Sequence, residues 1–90
     1  MMMLYATPNI LVTNLDDEMM IDAASQGCTY FLNETAQAVF NAIVSNNGIS
    51  RDDLIRQLAS MYSIDYRTIS HDVNTCVDLL LQYEVIYESE

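Results

Sequence analysis

The sequence contains no lysine, and its three arginines are set against 13 aspartates and glutamates, which gives a formal net charge of −10 at pH 7. Non-specific binding to nucleic acid needs clustered lysine and arginine that displace counterions from phosphates. Attraction to anionic lipid headgroups needs the same cations. The scarcity of positive charge therefore argues against nucleic acid and membrane surfaces as partners.

Residues that interrupt secondary structure are also scarce, because the 90 residues include two glycines and one proline while 51% are hydrophobic. This composition indicates a compact fold rather than a disordered chain. We expect a single domain over residues 1–90, with an ordered core at about 9–87. The longest apolar runs are about six residues, far short of the roughly 20 that cross a bilayer.

Cysteine use indicates a reducing compartment. The two cysteines, Cys28 and Cys76, form no CxxC pair. The N-terminus lacks the basic residues and the long apolar stretch of a secretion signal. We therefore expect a cytoplasmic protein with free thiols.

The first third of the chain has the pattern of three β-strands. Residues 9–13 and 28–32 are rich in β-branched and aromatic side chains, which favour strands. Residues 18–23 alternate so that Met19 and Ile21 share one face. Short turn-forming segments separate the three runs, so we predict an antiparallel three-stranded meander.

The rest of the chain has the pattern of three helices. Asn33 is a good N-cap for a helix over residues 34–45, and Gly48 suits the left-handed position after its end. Ser50 begins a second helix, with Asp53 in the position of a capping box. These signals predict two helices separated by a short turn.

The second helix is expected to stop near Tyr62, and the third and longest helix runs from about residue 65 or 66 to 82. The apolar residues of the third helix follow the spacing of one helix face: Ile69, Val73, Cys76, Val77 and Leu80. Residues 85–87 have the composition of a short strand, and residues 88–90 are expected to fray.

Three strands followed by three helices predict an α+β fold that is winged helix-turn-helix-like, with an N-terminal three-stranded antiparallel sheet. In DNA-binding proteins of this architecture the third helix enters the major groove. Here that helix carries Asp65, Asp72 and Asp78 against Arg67, so its charge has the wrong sign. A divergent winged-helix DNA-binding regulator is therefore the alternative and not the first hypothesis.

The sequence offers little for catalysis or metal binding. His71 is the single histidine, and its near neighbours do not supply a nucleophile, a base and an orienting group. Cys28, His71 and Cys76 match no ordinary zinc spacing. The acidic run Asp16-Asp17-Glu18 lacks the alternating ligands of a calcium loop. We predict a protein that is not an enzyme and uses no metal or cofactor.

Three segments of the chain follow one another in a specific order. They are Gly27 with Leu32-Asn33-Glu34-Thr35-Ala36, then Leu54, Leu58 and Tyr62, then Ile69 with Asp72-Val73 and Leu80. This order resembles the PqqD-like family, whose members carry a G…LN-x-T-A junction, an L…L…Y second helix and an I…DV…L third helix. The match covers about residues 9–87. It departs from the family at Glu84-Val85-Ile86, where many members have a Gly-Leu pair.

The resemblance implies a recognition element for ribosomally made, post-translationally modified peptides. Such domains take the leader segment of a precursor peptide as an added strand on the third β-strand, in the groove beside the third helix. The partners implied are the precursor peptide and a modifying enzyme. That enzyme is a radical SAM protein, as in synthesis of the quinone cofactor PQQ, or the leader peptidase and cyclase of a lasso-peptide pathway.

Carried onto this chain, the resemblance assigns peptide binding to the third strand and the third helix. The candidate residues are Cys28, Thr29, Tyr30, Phe31, Val73, Cys76, Val77 and Leu80. Alternation places Tyr30 and Leu32 toward the core and their neighbours on the other face, and it leaves open which set meets the peptide. The candidates on the helix are either core or groove.

The function that follows is a non-catalytic peptide chaperone or adaptor, which acts by holding the precursor at high effective concentration near the modifying enzyme. The net charge favours basic leaders or basic enzyme surfaces. A third interpretation is a small structural subunit of an enzyme. Such a subunit would bind neither leader peptides nor DNA and would elute with one large partner.

Overall fold

The computed structural model describes residues 1–8, 10–15, 18–23 and 28–90, with backbone only at residues 15, 23 and 28. The elements in chain order are β1 (Met3–Ala6), β2 (Leu11–Leu15), β3 (Glu18–Ala23), β4 (Cys28–Leu32), α1 (Glu34–Asn46), α2 (Arg51–Tyr62), α3 (Tyr66–Gln82) and β5 (Ile86–Ser89). The predicted α+β class, with a three-stranded sheet followed by three helices, is confirmed. The predicted turns at residues 16–17 and 25–27 lie outside the described residues.

The strands β2, β3 and β4 form an antiparallel meander in that order. Ile21 at its centre lies between Val12 on one side and Tyr30 on the other. Met19 and Ile21 are buried, as their alternation predicts. The sheet therefore presents one apolar face to the helices, while Phe31 stands on the opposite face.

The first helix begins as predicted and ends within a residue of the predicted position. The Asn33 side chain accepts a hydrogen bond from the amide of Ala36 at 2.9 Å. At the other end the C-cap residue Asn47 takes the left-handed conformation, with φ 52°, and the φ of Gly48 after it is positive as well. Gly48 has φ 113°, and a Cβ there would lie 2.5 Å from the ring of Tyr5. The prediction that Gly48 takes a positive φ just after the helix is confirmed, and the ring of Tyr5, from the distant strand β1, is a second reason why glycine fits at this turn.

The ends of α2 and α3 follow local capping chemistry. The Ser50 hydroxyl accepts a hydrogen bond from the amide of Asp53 at 3.2 Å, so the predicted cap is confirmed. The helix α2 ends where predicted, since Ser63 turns into the left-handed conformation with φ 55°. The Asp65 carboxylate then accepts from the amide of Arg67 at 3.2 Å and caps α3.

The two chain ends form a second sheet, which sequence pattern alone does not predict in full. The strand β1 pairs with β5, so that Leu4 lies opposite Glu88. On its other side Leu4 exchanges two backbone hydrogen bonds with Ile49, at 2.8 and 3.1 Å. The strand at residues 85–87 is confirmed in part. The fraying expected at residues 88–90 is wrong for Glu88 and Ser89, which belong to β5.

One apolar core joins both sheets and all three helices. Its buried members include Leu4, Ile21, Val39, Leu54 and Leu80. Burial of apolar surface stabilises such a core by about 25 cal/mol per Å². In the part of the chain that the structure describes, no helix has the length and apolar character of a membrane span.

Candidate functional site

The open edge of the meander is the first element of the site. The strand β4 pairs with β3 on one side, and no described strand lies on its other side. Thr29 and Phe31 are exposed, Phe31 by 63%, whereas Leu32 is buried and Tyr30 is half-buried against the core. The predicted alternation along β4 is therefore confirmed. An edge of this kind offers unpaired N–H and C=O groups to a further strand.

The second element is a half-buried stripe that runs along α3 to the residue just after it, here called the α3 stripe. It consists of Ile69, Cys76 and Tyr83, which follow one another at intervals of seven residues, about two helical turns. The other apolar candidates on this helix lie deeper, with exposures of 1% or less: Val73, Val77 and Leu80. The last two therefore support the α3 stripe from behind and present no surface of their own to a ligand.

The surface between β4 and the α3 stripe is here called the groove. The strand β4 packs on β3 and α1, whereas α3 packs on α1, α2 and β5. Tyr30 and Tyr83 connect the two walls, with ring centroids 4.0 Å apart and an interplanar angle of 12°. Aromatic pairs of this kind contribute about 0.5–1.5 kcal/mol beyond their buried area. The ring pair therefore holds one end of the groove at a defined width.

The structure leaves one predicted site residue untested and adds one that was not predicted. Cys28 opens β4 opposite Ala23, but its side chain lies outside the described atoms, so its contact with a peptide stays a prediction. Tyr83 was missed, because it lies just after the helix and its ring contact is non-local. The signal that was available is the continuation of the seven-residue interval from Ile69 through Cys76.

A cavity of about 200 Å³ opens where α1, α2 and α3 meet. Val39, Leu58 and Val73 line its deepest part, each at most 2% exposed. Ile69 lines it as well and so connects it to the α3 stripe. Of the predicted site residues whose side chains the structure describes, Val73 is the one that borders this cavity. The cavity unites three helices, which explains why no single sequence pattern identified it.

The Cys76 thiol is an apolar part of the groove surface and not a reactive group. Burial raises the pKa of this thiol above its ordinary value, and the carboxylate of Asp72, one turn earlier, raises it further. The thiol is therefore protonated at neutral pH. Among the described residues, no three histidine, cysteine, aspartate or glutamate side chains lie close enough together to hold a metal ion.

Two arginines are engaged away from the groove. Arg51 contacts Asp78 at 2.9 Å. Asp78 follows Cys76 by two residues, so it lies about 200° around α3 from the α3 stripe. Arg56 contacts Asp52 at 2.8 Å within α2. These pairs neutralise positive charge on α2. The helix α3 itself carries Arg67 against Asp72 and Asp78, so it has no basic face with which to follow a phosphate backbone.

The fold and the site define a winged-helix-like α+β domain with an open sheet edge beside its third helix. TbiB1, solved in complex with the TbiA(beta) leader peptide, has this fold, with a TM-score of 0.76 and 15% identity over 91% of this chain and 93% of that one. Lasso peptide synthetase B1, complexed with the leader peptide, has a TM-score of 0.75 and 21% identity over 93% of this chain and 96% of that one.

A third solved structure is the PqqD truncation of Methylobacterium extorquens PqqCD, described as a functional, stand-alone recognition element for ribosomally synthesised and post-translationally modified peptides. It has a TM-score of 0.73 and 16% identity over 94% of this chain and 88% of that one. The sequence matches no protein-family model and no curated protein. The structural likeness, at 15–21% identity, establishes the fold, and the predicted PqqD-like fold is confirmed.

Proposed function

We propose that this protein is a non-catalytic, cytoplasmic peptide chaperone that binds the leader segment of a ribosomally made precursor peptide and presents the remainder to a modifying enzyme. The observation that carries the proposal is the open edge of β4 beside the α3 stripe. Two structural neighbours with this fold are complexed with leader peptides. The partners are the precursor peptide and a radical SAM protein or a leader peptidase and cyclase.

Strand addition at β4 orients a bound peptide with respect to the helices. Backbone groups of the peptide pair with Cys28–Leu32, which provides affinity that depends little on sequence. Side chains of an added strand alternate between the two faces of the sheet. Every second one points to the helix face, as Tyr30 and Leu32 do, and meets the α3 stripe. The pairing explains binding, and the α3 stripe explains selectivity.

This role requires no bond to be made or broken by the protein. A leader held on β4 keeps the rest of its precursor near a partner enzyme, and the second encounter then depends on effective concentration instead of free diffusion. The protonated Cys76 thiol fits this role, because it contributes apolar contact to the groove without reactivity.

A titration tests the proposal. Fluorescently labelled leader segments of precursor peptides encoded beside this gene are expected to bind with dissociation constants of about 1 μM or tighter, equivalent to about −8 kcal/mol. A labelled DNA duplex is the comparison and is expected not to bind. DNA binding without peptide binding would favour the winged-helix regulator. Binding of neither, with co-elution of one large enzyme, would favour the structural subunit.

Amide hydrogen exchange locates the docking edge. In an extended strand the N–H and C=O of one residue point to the same side, so every second amide of β4 faces the open edge. A bound leader is expected to protect those amides. The strand β2 is the other open edge of the same sheet and serves as the internal control. Protection of β2 with no change in β4 would contradict strand addition at β4.

A further inference from the structure

The cavity among the three helices lies on the path of a peptide that follows β4 toward its end. Gln37 Nε2 donates a hydrogen bond to the Leu32 carbonyl at 2.9 Å, and Asn33 caps α1. The backbone template for an added strand therefore ends at Leu32. Residues Glu34 and Thr35, which follow directly, line the cavity. A peptide that leaves the sheet at this point reaches the cavity within a few residues.

The interior of the cavity is apolar and has the size of one side chain. Val39, Leu58 and Val73 are buried at its deepest part, and Ala38 and Ile69 are half-buried at its sides. Its volume is about 200 Å³, and an apolar protein cavity of about 150 Å³ binds benzene. A leucine, methionine or phenylalanine side chain is therefore of suitable size.

Two carboxylates stand at the rim of this apolar cavity. Glu34 and Asp72 both line it and both are exposed. Neither makes an ion pair with any residue that the structure describes. Glu34 is also in the first turn of α1, where the helix dipole stabilises a negative charge. Asp72 lies in the middle of α3 and has no such role, so its charge beside the cavity has no partner within the described chain.

The arginine and histidine side chains of the chain lie away from the cavity rim. Arg51 and Arg56 contact aspartates outside the cavity. Arg67 and His71 are each two residues from Ile69, about 200° around α3 from the side that lines the cavity. A cation beside the apolar cavity must therefore come from the ligand.

We propose that the cavity takes one apolar side chain of the bound peptide, and that Glu34 and Asp72 select peptides in which an arginine or lysine stands next to it. This inference rests on the proposed function, since it names the class of peptide that the groove selects. An apolar side chain buried in the cavity brings its basic neighbour to the rim, where attraction is stronger than in bulk water because one side is low-dielectric protein.

A display selection followed by a double-mutant cycle, in which charges are removed from the peptide and from the protein, tests the inference. A library of random peptides is selected against the wild-type protein, and the strongest binder that protects β4 amides is synthesised with its basic residue and with glutamine in its place. Wild-type protein is expected to bind the glutamine form about three- to tenfold more weakly. The Glu34→Gln/Asp72→Asn variant is expected to bind the two forms within about twofold of each other. Asp53→Asn, which removes a charge outside the cavity lining, should keep the discrimination.

The outcomes separate the inference from the proposed function. Selected peptides that protect β4 but show no apolar–basic pair, or equal discrimination by wild-type and the double variant, would overturn the inference and leave leader binding intact. A selection that returns no peptide protecting β4 would contradict leader binding itself, and the inference with it.

A second variant tests the apolar part of the cavity independently of charge. Ala38→Leu places a larger side chain at the half-buried side of the cavity. It is expected to lower the affinity for the selected peptide about tenfold. Ser45→Leu adds the same side chain at an exposed position of the same helix and should leave affinity within about twofold. Equal affinity of both variants, with unchanged melting temperature, would show that no side chain enters the cavity.

Discussion

At the scale of single residues, the corner between α2 and α3 contains a three-membered polar contact. The Tyr66 hydroxyl donates a hydrogen bond to Asp52 at 2.7 Å, and Arg56 donates to the other carboxylate oxygen at 2.8 Å. The guanidinium of Arg56 also lies 5.8 Å from the centre of the Tyr66 ring. The hydrogen bond from Tyr66, followed by that from Arg56, lowers the pKa of the Asp52 carboxyl below its ordinary value.

The variant Tyr66→Phe removes the larger of these two causes. The pKa of Asp52 is expected to rise toward its ordinary value, measurable by carbon-13 NMR titration of the carboxyl group. Because the folded-state pKa is depressed, the contact stabilises the fold above the unfolded-state pKa of Asp52 and is lost as the pH falls through the folded-state value. Tyr62→Phe is the control, since Tyr62 donates no hydrogen bond to a described carboxylate. An unchanged Asp52 titration in Tyr66→Phe would contradict this assignment.

At the scale of secondary-structure elements, β1 ties the N-terminus to two distant parts of the chain. It pairs with β5, and Leu4 bonds to the segment between α1 and α2 through Ile49. Tyr5 stacks on Tyr87, with ring centroids 5.5 Å apart. The same Tyr5 ring occupies the space beside Gly48. The element therefore joins the C-terminal strand and the turn between α1 and α2 to the core.

The variant Leu4→Ala tests whether β1 is part of the cooperative fold. Leu4 is fully buried, so its truncation is expected to lower the free energy of unfolding by about 2–5 kcal/mol, measured by urea denaturation. Leu11→Ala makes the same change in β2 at a side chain that is 64% exposed, and a shift within about 0.5 kcal/mol is expected. A loss for Leu4→Ala as small as that expected for Leu11→Ala would mean that β1 is a dispensable tail.

At the scale of the whole molecule, the net charge of −10 affects the rate at which a peptide associates. The carboxylates of Glu34 and Asp72 at the cavity rim affect the rate at which it dissociates. Long-range attraction raises the rate at which a basic peptide arrives and is screened by salt over about 8–10 Å. Short-range contact at the cavity chiefly determines how slowly the peptide leaves. The two effects can therefore be separated kinetically.

Stopped-flow binding of a basic leader peptide provides the measurement. The association rate constant is expected to fall about tenfold or more as ionic strength rises from about 0.01 M to 0.3 M, while the dissociation rate constant changes less. An uncharged peptide of equal length should show an association rate that is nearly independent of salt. Equal salt dependence for the two peptides would show that overall charge does not steer binding.

The elements that sequence pattern predicted correctly are those whose ends are defined by neighbours a few residues away. Asn33 and Ser50 bond to amides three residues later, and both helices begin where these caps place them. The alternation of β4 likewise identified Tyr30 and Phe31 on opposite faces. Such features depend on contacts between residues close in sequence, so they can be recognised without a fold.

The family resemblance named β4 and α3 as the elements of the candidate site, and contact of their residues with a peptide stays a prediction. The face of α3 was recognised as apolar, yet periodicity did not separate the buried Val77 and Leu80 from the half-buried α3 stripe. That separation depends on which neighbours cover the helix. Tyr83 enters the site through its contact with Tyr30 across the groove, and this contact joins residues far apart in the chain.

Composition and local pattern were enough to predict an acidic α+β chain with a three-stranded meander and three helices, the first two with their N-caps. The resemblance to the PqqD-like family added the expectation that a peptide docks on the third of these strands. Packing was needed to bring Leu4 beside Ile49 and Glu88, and to form a cavity from three helices with Asp72 at its rim. The physical reason is the range of the interactions. Caps and periodicity act over one or two turns, whereas pairing of the chain ends and the shape of a cavity exist only once distant segments are packed together.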